Sequence, residues 1–185
     1  MTDHQDNIID LEHQIGCRLD PKARTRSFFA TKPNIGVTSN LLGQLRREAE
    51  RGGGNVRLCL HQSPEDSLHE MIILQRGNDF FPPKRHPQKA KSFRVLSGML
   101  GVFLFDEAGE VTDAVRLTPD RDLTFRVGAN CYFADIPLTA EAIHYEVTSG
   151  PFLGPADREM ASFGPSLEDA KARKAYRDAL LEKLP

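Results

Sequence analysis

The chain has 185 residues, 39% of them hydrophobic and 27% charged, so we expect one globular domain with a packed core. Its formal net charge of −2 argues against a protein built to hold nucleic acid, because such proteins usually carry a basic excess. No apolar run approaches the roughly 18 residues of a membrane span, the polar N-terminus is not typical of a secretory signal, and the three scattered cysteines suggest reduced thiols in a cytoplasmic protein.

Residues 1–54 are predicted to form an N-terminal helical arm. The segment TSNLLGQLRREAERGGG has the apolar spacing of a helix, with Ser39 or Asn40 as its N-cap and the glycines at 52–54 as its end. The residues that share its apolar face are Leu41, Leu42, Leu45 and Ala49.

Residues 55–155 are predicted to form a β-domain. From Asn55 the apolar residues alternate with polar ones, as in the segment NVRLCLH, which is typical of a β-strand. Similar short patterns recur about every 8 to 12 residues, with a tight turn at Ser97 and Gly98. The sequence therefore predicts a mainly β fold, an antiparallel sandwich or barrel.

Residues 156–185 are predicted to form a C-terminal helical segment. The pattern SLEDAKARKAYRDALLEKL indicates a helix, and Ser166 with Asp169 resembles a capping box at its start. The narrow apolar stripe of this helix consists of Ala172, Tyr176, Ala179 and Leu180.

The segment PPKRHPQKAKSFRVLSG, residues 82–98, has the spacing of a metal-binding motif found in small β-barrels. In that motif two histidines stand at positions i and i+2, so that both side chains point to one face of a strand, and a glutamate and a glycine follow. Here Lys84, His86, Lys91 and Gly98 occupy these positions, and His144 lies on a later predicted strand. The spacing is intact, but lysine stands at two ligand positions.

Together with the segments NVRLCLH, HEMIIL, LSGMLGVFLFDEAGEV and HYEVTSGPF, this motif resembles the WbuC family of cupin-fold metalloproteins over residues 55–155. The resemblance implies a cupin-type antiparallel jelly-roll barrel in a bacterial, cytoplasmic protein, with a link to surface polysaccharide gene clusters. It also implies ligands at His61 or Lys84, at His86, at Lys91 and at His144, where Lys84 replaces a histidine and Lys91 replaces a glutamate.

The two lysines leave the chemistry open. A protonated lysine has no lone pair, and two unit charges about 4 Å apart repel by roughly 4 kcal/mol at an effective dielectric constant near 20. We therefore expect either no metal, or one divalent Fe, Zn, Mn or Ni ion held by His61, His86 and His144. If the lysines line the barrel with Arg57, the pocket is strongly basic and suits an anionic sugar or a carboxylate. Otherwise this basic segment is solvated surface.

The leading hypothesis is a cupin barrel that binds a small anionic or sugar-related ligand. The candidate ligand-binding residues are Arg57, His61, Lys84, His86, Lys91, Tyr132 and His144. Asp135 offers acid–base chemistry with Tyr132 if both face the cavity.

Two alternatives remain. One is an enzyme such as a sugar isomerase or epimerase, either metal-dependent or metal-free, with a histidine base beside a lysine that stabilises an enolate. The other is a non-catalytic structural or regulatory protein. We expect a homodimer. We also expect it to bind a small molecule, and to bind neither nucleic acid nor a membrane.

Overall fold

The computed structural model describes residues 16–77 and 80–185, in which two β-sheets and two α-helices are formed. The strands and α-helices are, in chain order, β1 (Cys17–Asp20), β2 (Arg26–Ala30), α1 (Ser39–Gly52), β3 (Val56–Cys59), β4 (Leu68–Arg76), β5 (Lys84–Arg85), β6 (Lys91–Ser97), β7 (Leu100–Phe105), β8 (Val111–Leu117), β9 (Thr124–Val127), β10 (Tyr132–Pro137), β11 (Glu141–Ser149), β12 (Glu159–Met160) and α2 (Ala170–Leu181). A short 3-10 helix, Gly154–Asp157, precedes β12.

The larger sheet has the strand order β1-β2-β3-β4-β11-β6-β9, and the smaller sheet has the order β12-β5-β10-β7-β8. Strand β2 pairs with β3 in parallel, whereas the other pairs in the described chain are antiparallel. Apolar side chains of both sheets meet between them, including Phe93 and Val95 from β6 and Val102 and Phe133 from β7 and β10. The predicted mainly β, jelly-roll type of fold is thus confirmed.

Each α-helix covers the outer face of one sheet. Leu41 and Leu45 of α1 pack on Ile72 and other buried residues of the larger sheet. Leu180 of α2 packs on the smaller sheet in the cluster that contains Phe103. The central strands are therefore buried on both faces, and the middle of β4 accordingly has four consecutive buried apolar residues, 71–74, instead of an alternating pattern.

Strands β1 and β2 lie within the segment that the sequence predicted to be a helical arm, and they extend the larger sheet. Strand β2 reads RSFFA, with four consecutive buried residues, because Phe28 packs under α1 while Phe29 points to the inner face. A short apolar run of this kind shows no alternation, so its periodicity does not distinguish a strand from a helix. The first fifteen residues of the predicted arm lie outside the described residues.

The helix caps differ by one or a few residues from the prediction. Thr38 is the N-cap of α1, where its side chain accepts a hydrogen bond from the third amide of the helix, and neither Ser39 nor Asn40 has this role. Asp169 is itself the N-cap of α2, so the predicted capping box, with Ser166 as the cap, was wrong. Neither α-helix of the described chain has the length and apolarity that crossing a lipid bilayer requires.

Candidate functional site

Six titratable side chains form a group between the two sheets, which we call the central cluster. Its members are Lys84, His86, Lys91, Asp135, His144 and Glu146, supplied by β5, the turn after β5, β6, β10 and β11. Each of these side chains is at most 13% exposed. The fold thus assembles four of the predicted site residues, and it adds two carboxylates to them.

The position of β11 explains why His144 and Glu146 point inward. Ile143, their neighbour in the chain, lies on the opposite face and packs in the cluster beneath α1. His144 pairs with Ile73 of the neighbouring strand β4 and is fully buried. The face of β11 that carries His144 is therefore the interior of the sandwich.

Lys84 forms a buried ion pair with Asp135. Its Nζ atom lies 3.1 Å from Oδ1 of Asp135, while Oδ2 accepts a hydrogen bond of 2.6 Å from Gln75. The ammonium group also lies over the rings of Phe81 and Phe133, 4.8 and 4.6 Å from their centroids. Burial alone would raise the pKa of Asp135, but Lys84 and the hydrogen bonds outweigh it, so the pKa lies below its ordinary value.

Lys91 forms the second buried ion pair, with 2.5 Å between its Nζ atom and Oε1 of Glu146. Burial again opposes ionisation of the carboxyl group, and the nearby ammonium group more than offsets it, so the pKa of Glu146 is lowered. Both lysines therefore point inward, but each is neutralised by a carboxylate. The sequence left open either a strongly basic pocket or a solvated surface, and these two ion pairs remove the surplus charge that the lysines would give such a pocket.

His86 is held in one tautomer. Its Nδ1 atom lies 2.6 Å from the carbonyl oxygen of Asp157, and because a carbonyl can only accept, Nδ1 carries the hydrogen. Burial, together with Lys91 and Lys84, lowers the pKa of His86 to about 4. At neutral pH Nε2 therefore has a free lone pair, and this buried atom has no hydrogen-bond partner among the described residues.

His144 contributes two more buried nitrogens without a partner in the described chain. Burial lowers the pKa of its imidazole although Asp135 and Glu146 act in the opposite direction, so the ring is neutral at neutral pH. Phe93 meets its ring edge-on at a centroid distance of 5.8 Å. Buried polar atoms almost always have partners, and those of His86 and His144 therefore point to a bound water or ligand.

An apolar wall adjoins the central cluster on the inner face of the larger sheet. It consists of Phe29, Cys59, Met71 and Ile73, which are between 3% and 8% exposed. By contrast, Phe93 and the other residues packed between the sheets are between 0% and 2% exposed. The wall is thus buried, though slightly less than the core, and we call the region where it meets the charged groups the recess. Burial raises the pKa of the Cys59 thiol to about 12, which leaves this thiol unreactive.

His61 is not part of the central cluster. Its ring stacks on that of His69 with 4.1 Å between centroids and 2° between planes, and Phe29 meets it edge-on. Its Nδ1 atom lies 3.1 Å from the backbone oxygen of Glu70. Since β3 has ended before His61, this side chain belongs to the loop at the rim of the inner face.

Arg57 lies on the inner face of the larger sheet, whereas Tyr132 lies on the outer face of the smaller sheet. Arg57 pairs with Ile73, which in turn pairs with His144, so it shares the inner face, and its buried Nε atom has no partner among the described residues. Tyr132 belongs to the outer cluster beneath α2, and its hydroxyl donates to Glu159. The structure therefore brings Arg57 to the recess but not Tyr132.

The residues present do not fit the divalent metal ion that the sequence motif implies. The predicted ligands His61, His86 and His144 are not assembled, because His61 packs against His69. The two carboxylates of the central cluster are engaged by the lysines, and the described residues contain no group of three or more side chains placed to hold a metal.

Residues 37–117 match the family described as a domain of unknown function, DUF6016. No curated protein matches the chain. Among solved structures, the chain is similar to CapF, a capsular polysaccharide assembling protein from Staphylococcus aureus, with a TM-score of 0.49 and 11% identity over 56% of this chain and 28% of CapF. It is also similar to the L-ribose isomerase of Cellulomonas parahominis, with a TM-score of 0.49 and 17% identity over 59% of this chain and 70% of the isomerase.

A third similar structure belongs to a study of the DMSP lyases RdDddP and RnDddQII, with a TM-score of 0.41 and 20% identity over 51% of this chain and 44% of the other. The matched part of the chain corresponds to less than a third of the length of CapF. At these scores and identities the likeness carries no argument about function, and membership of the WbuC family stays a prediction.

Proposed function

We propose that the chain binds a small hydroxylated, sugar-like ligand in the recess beside the central cluster. The observation that carries this proposal is the set of buried imidazole nitrogens on His86 and His144 without a partner in the described chain. Leaving such an atom unpaired costs about 1–3 kcal/mol, so a ligand that pairs with several of them is favoured.

The hydrogen-bonding needs of this site favour hydroxyl groups over a simple anion. The Nε2 atom of His86 is an acceptor and requires a donor, which a fully ionised carboxylate or phosphate does not offer. Asp135 and Glu146 already provide negative charge next to the lysines. A hydroxyl group both donates and accepts, so neighbouring hydroxyls of a sugar meet these requirements.

The two ammonium groups would add donors for the ligand. Each lysine has three N–H donors, and its bond to a carboxylate uses one of them. An acidic sugar is a further option within the same proposal, because Arg57 lies on the inner face with a buried Nε atom that lacks a partner in the described chain. The link to surface polysaccharide metabolism rests on the sequence resemblance.

A metal-free isomerase or epimerase is the second candidate. The fixed tautomer of His86 favours it, because Nε2 could take a proton next to a carbonyl group while Lys84 or Lys91 stabilises the enolate. However, a pKa of about 4 makes His86 a weak base at neutral pH, whereas general bases work best with a pKa near the working pH. Binding is therefore the better supported function.

Thermal-shift and calorimetric titrations of the full chain test this proposal. The probes are L-ribose, D-galactose and D-glucuronate, with sulfate as an anion without hydroxyl groups. A bound sugar at a hundredfold excess over its Kd adds about 2.7 kcal/mol to the free energy of unfolding. We expect His86→Asn to abolish binding and Tyr132→Phe, on the outer face, to leave it unchanged. If no sugar binds, or His86→Asn binds equally well, the proposal fails.

A further inference from the structure

Arg158 lies at the edge of the smaller sheet, on the face that carries Lys84. It directly precedes the edge strand β12 and has an extended backbone, with a φ of −145° and a ψ of 152°. Met160 pairs with Lys84, and side chains two residues apart in an extended segment share a face. Arg158 therefore lies on the inner side of the sheet, where Lys84 enters the central cluster.

The ring of Phe81 contacts both of these cations. The guanidinium carbon of Arg158 lies 5.0 Å from the centroid of this ring, and the Nζ atom of Lys84 lies 4.8 Å from the same centroid. A cation–π contact of this kind orients a guanidinium group without neutralising its charge. A ligand that contacts Lys84 is therefore also within reach of Arg158.

The carboxylates next to Arg158 in the chain are bound to other cations. Asp157 forms an ion pair with Lys89, and both oxygens of Glu159 accept hydrogen bonds from Arg85, at 3.1 and 2.8 Å. Arg158 is exposed and forms no ion pair within the described part of the chain. Its guanidinium group is therefore available to a carboxylate, which it can bind through two parallel hydrogen bonds.

Asp157 attaches the segment that carries Arg158 to the proposed sugar site. Its carbonyl oxygen accepts the hydrogen bond of 2.6 Å from Nδ1 of His86, and its carboxylate binds Lys89. The side chains of Asp157 and Lys89 are at most 10% exposed, so this anchor is buried. One residue thus links the free cation to the imidazole whose Nε2 atom lacks a partner in the described chain.

We infer that the ligand of the recess is a sugar acid, whose carboxylate binds Arg158 while its hydroxyl groups pair with His86 and Lys84. This inference rests on the proposed function and narrows it from sugars in general to those with a carboxylate. A sugar acid supplies the hydroxyl donors that Nε2 of His86 requires and also an anion for Arg158. A neutral sugar lacks that anion, and a charge-assisted hydrogen bond is roughly twice as strong as a neutral one.

Calorimetric titration of the full chain with two matched pairs of sugars tests this inference. The pairs are D-glucuronate with D-glucose and D-galacturonate with D-galactose, which differ within each pair only in the group at carbon 6. The test variant is Arg158→Gln, which removes the charge and keeps an amide donor. The matched control is Arg116→Gln, which removes the same charge from an exposed position of β8, the opposite edge strand of the smaller sheet.

We expect the acid of at least one pair to bind about fivefold or more tightly than its neutral sugar, a preference that Arg158→Gln removes and Arg116→Gln changes by less than about twofold. Equal affinities within both pairs, or a preference that persists in Arg158→Gln, would overturn the inference and leave the proposed function intact. If neither acid binds, the inference is overturned as well, and the proposed function fails with it only if the neutral sugars do not bind either.

Discussion

The buried, neutral state of His86 makes the stability of the protein depend on pH. In the folded chain the pKa of His86 is about 4, lowered from 6.5 mainly by burial and then by Lys91 and Lys84. In the unfolded chain it returns to its ordinary value. Between these two pH values the unfolded state therefore binds a proton that the folded state does not bind, and stability falls as the pH falls.

The size of this effect follows from the two pKa values. One pKa unit corresponds to ~1.4 kcal/mol. With pKa values of 6.5 and about 4, lowering the pH from 7 to about 4.5 should reduce the free energy of unfolding by about 2 kcal/mol through this residue alone. The contribution is complete above pH 6.5 and is lost toward pH 4. His144 acts in the same direction, since burial lowers its pKa as well.

Urea denaturation of the wild type and of His86→Asn, at pH 7 and at about pH 4.5, isolates this contribution. The amide of asparagine can replace Nδ1–H as the donor to the carbonyl oxygen of Asp157, but it does not titrate. The carboxylates and His144 contribute to both proteins and cancel in the comparison. We expect the wild type to lose about 2 kcal/mol more than the variant. Equal losses would refute the assignment of a buried, neutral His86.

Three further changes test other parts of the structure. Lys84→Met leaves Asp135 buried without its cation and should lower the free energy of unfolding by about 3–5 kcal/mol in urea denaturation, whereas adding Asp135→Leu should restore most of it. Replacing Lys84 by His and Lys91 by Glu restores the ligand types of the motif, so elemental analysis of this double variant should find close to one equivalent of Zn or Fe. If the double variant contains no metal, the backbone positions are not those of a metal site. Gly98→Ala should cost more than about 2 kcal/mol, because Gly98 has a φ of +75° and a Cβ atom would lie 2.3 Å from the carbonyl oxygen of Glu141; an unchanged denaturation midpoint would contradict this turn geometry.

Sequence patterns were sufficient for the fold class because most of the signal is local. The turn at Gly98, the helix before Gly53 and the short alternating strands were all visible in windows of a few residues. Strand β2 could not be recognised in this way, since burial on both faces removes its alternation. Its parallel pairing with β3 depends on α1, which brings the chain back beside β2.

The partners of the two lysines could not be predicted, because they are remote in the chain. Asp135 lies 51 residues after Lys84, and Glu146 lies 55 residues after Lys91. Asp135 was a candidate for acid–base chemistry, but nothing in the local sequence paired it with a lysine. Glu146 lies in a strand whose alternating pattern is typical of a strand with one face exposed to solvent. Only the pairing of β11 with β4 and β6, and of β10 with β5, brings these carboxylates inside.

The charges of the central cluster balance one another, although lysine stands at two positions of the predicted metal motif. Two ammonium groups together carry the charge of one divalent ion, and here each of them is bound by one carboxylate. The interior therefore stays neutral without a metal, at a position where a single unpaired charge would be strongly unfavourable. In this arrangement Lys84 and Lys91 serve first to balance Asp135 and Glu146, and it is the neutral histidines between them that have hydrogen-bonding capacity to offer a ligand.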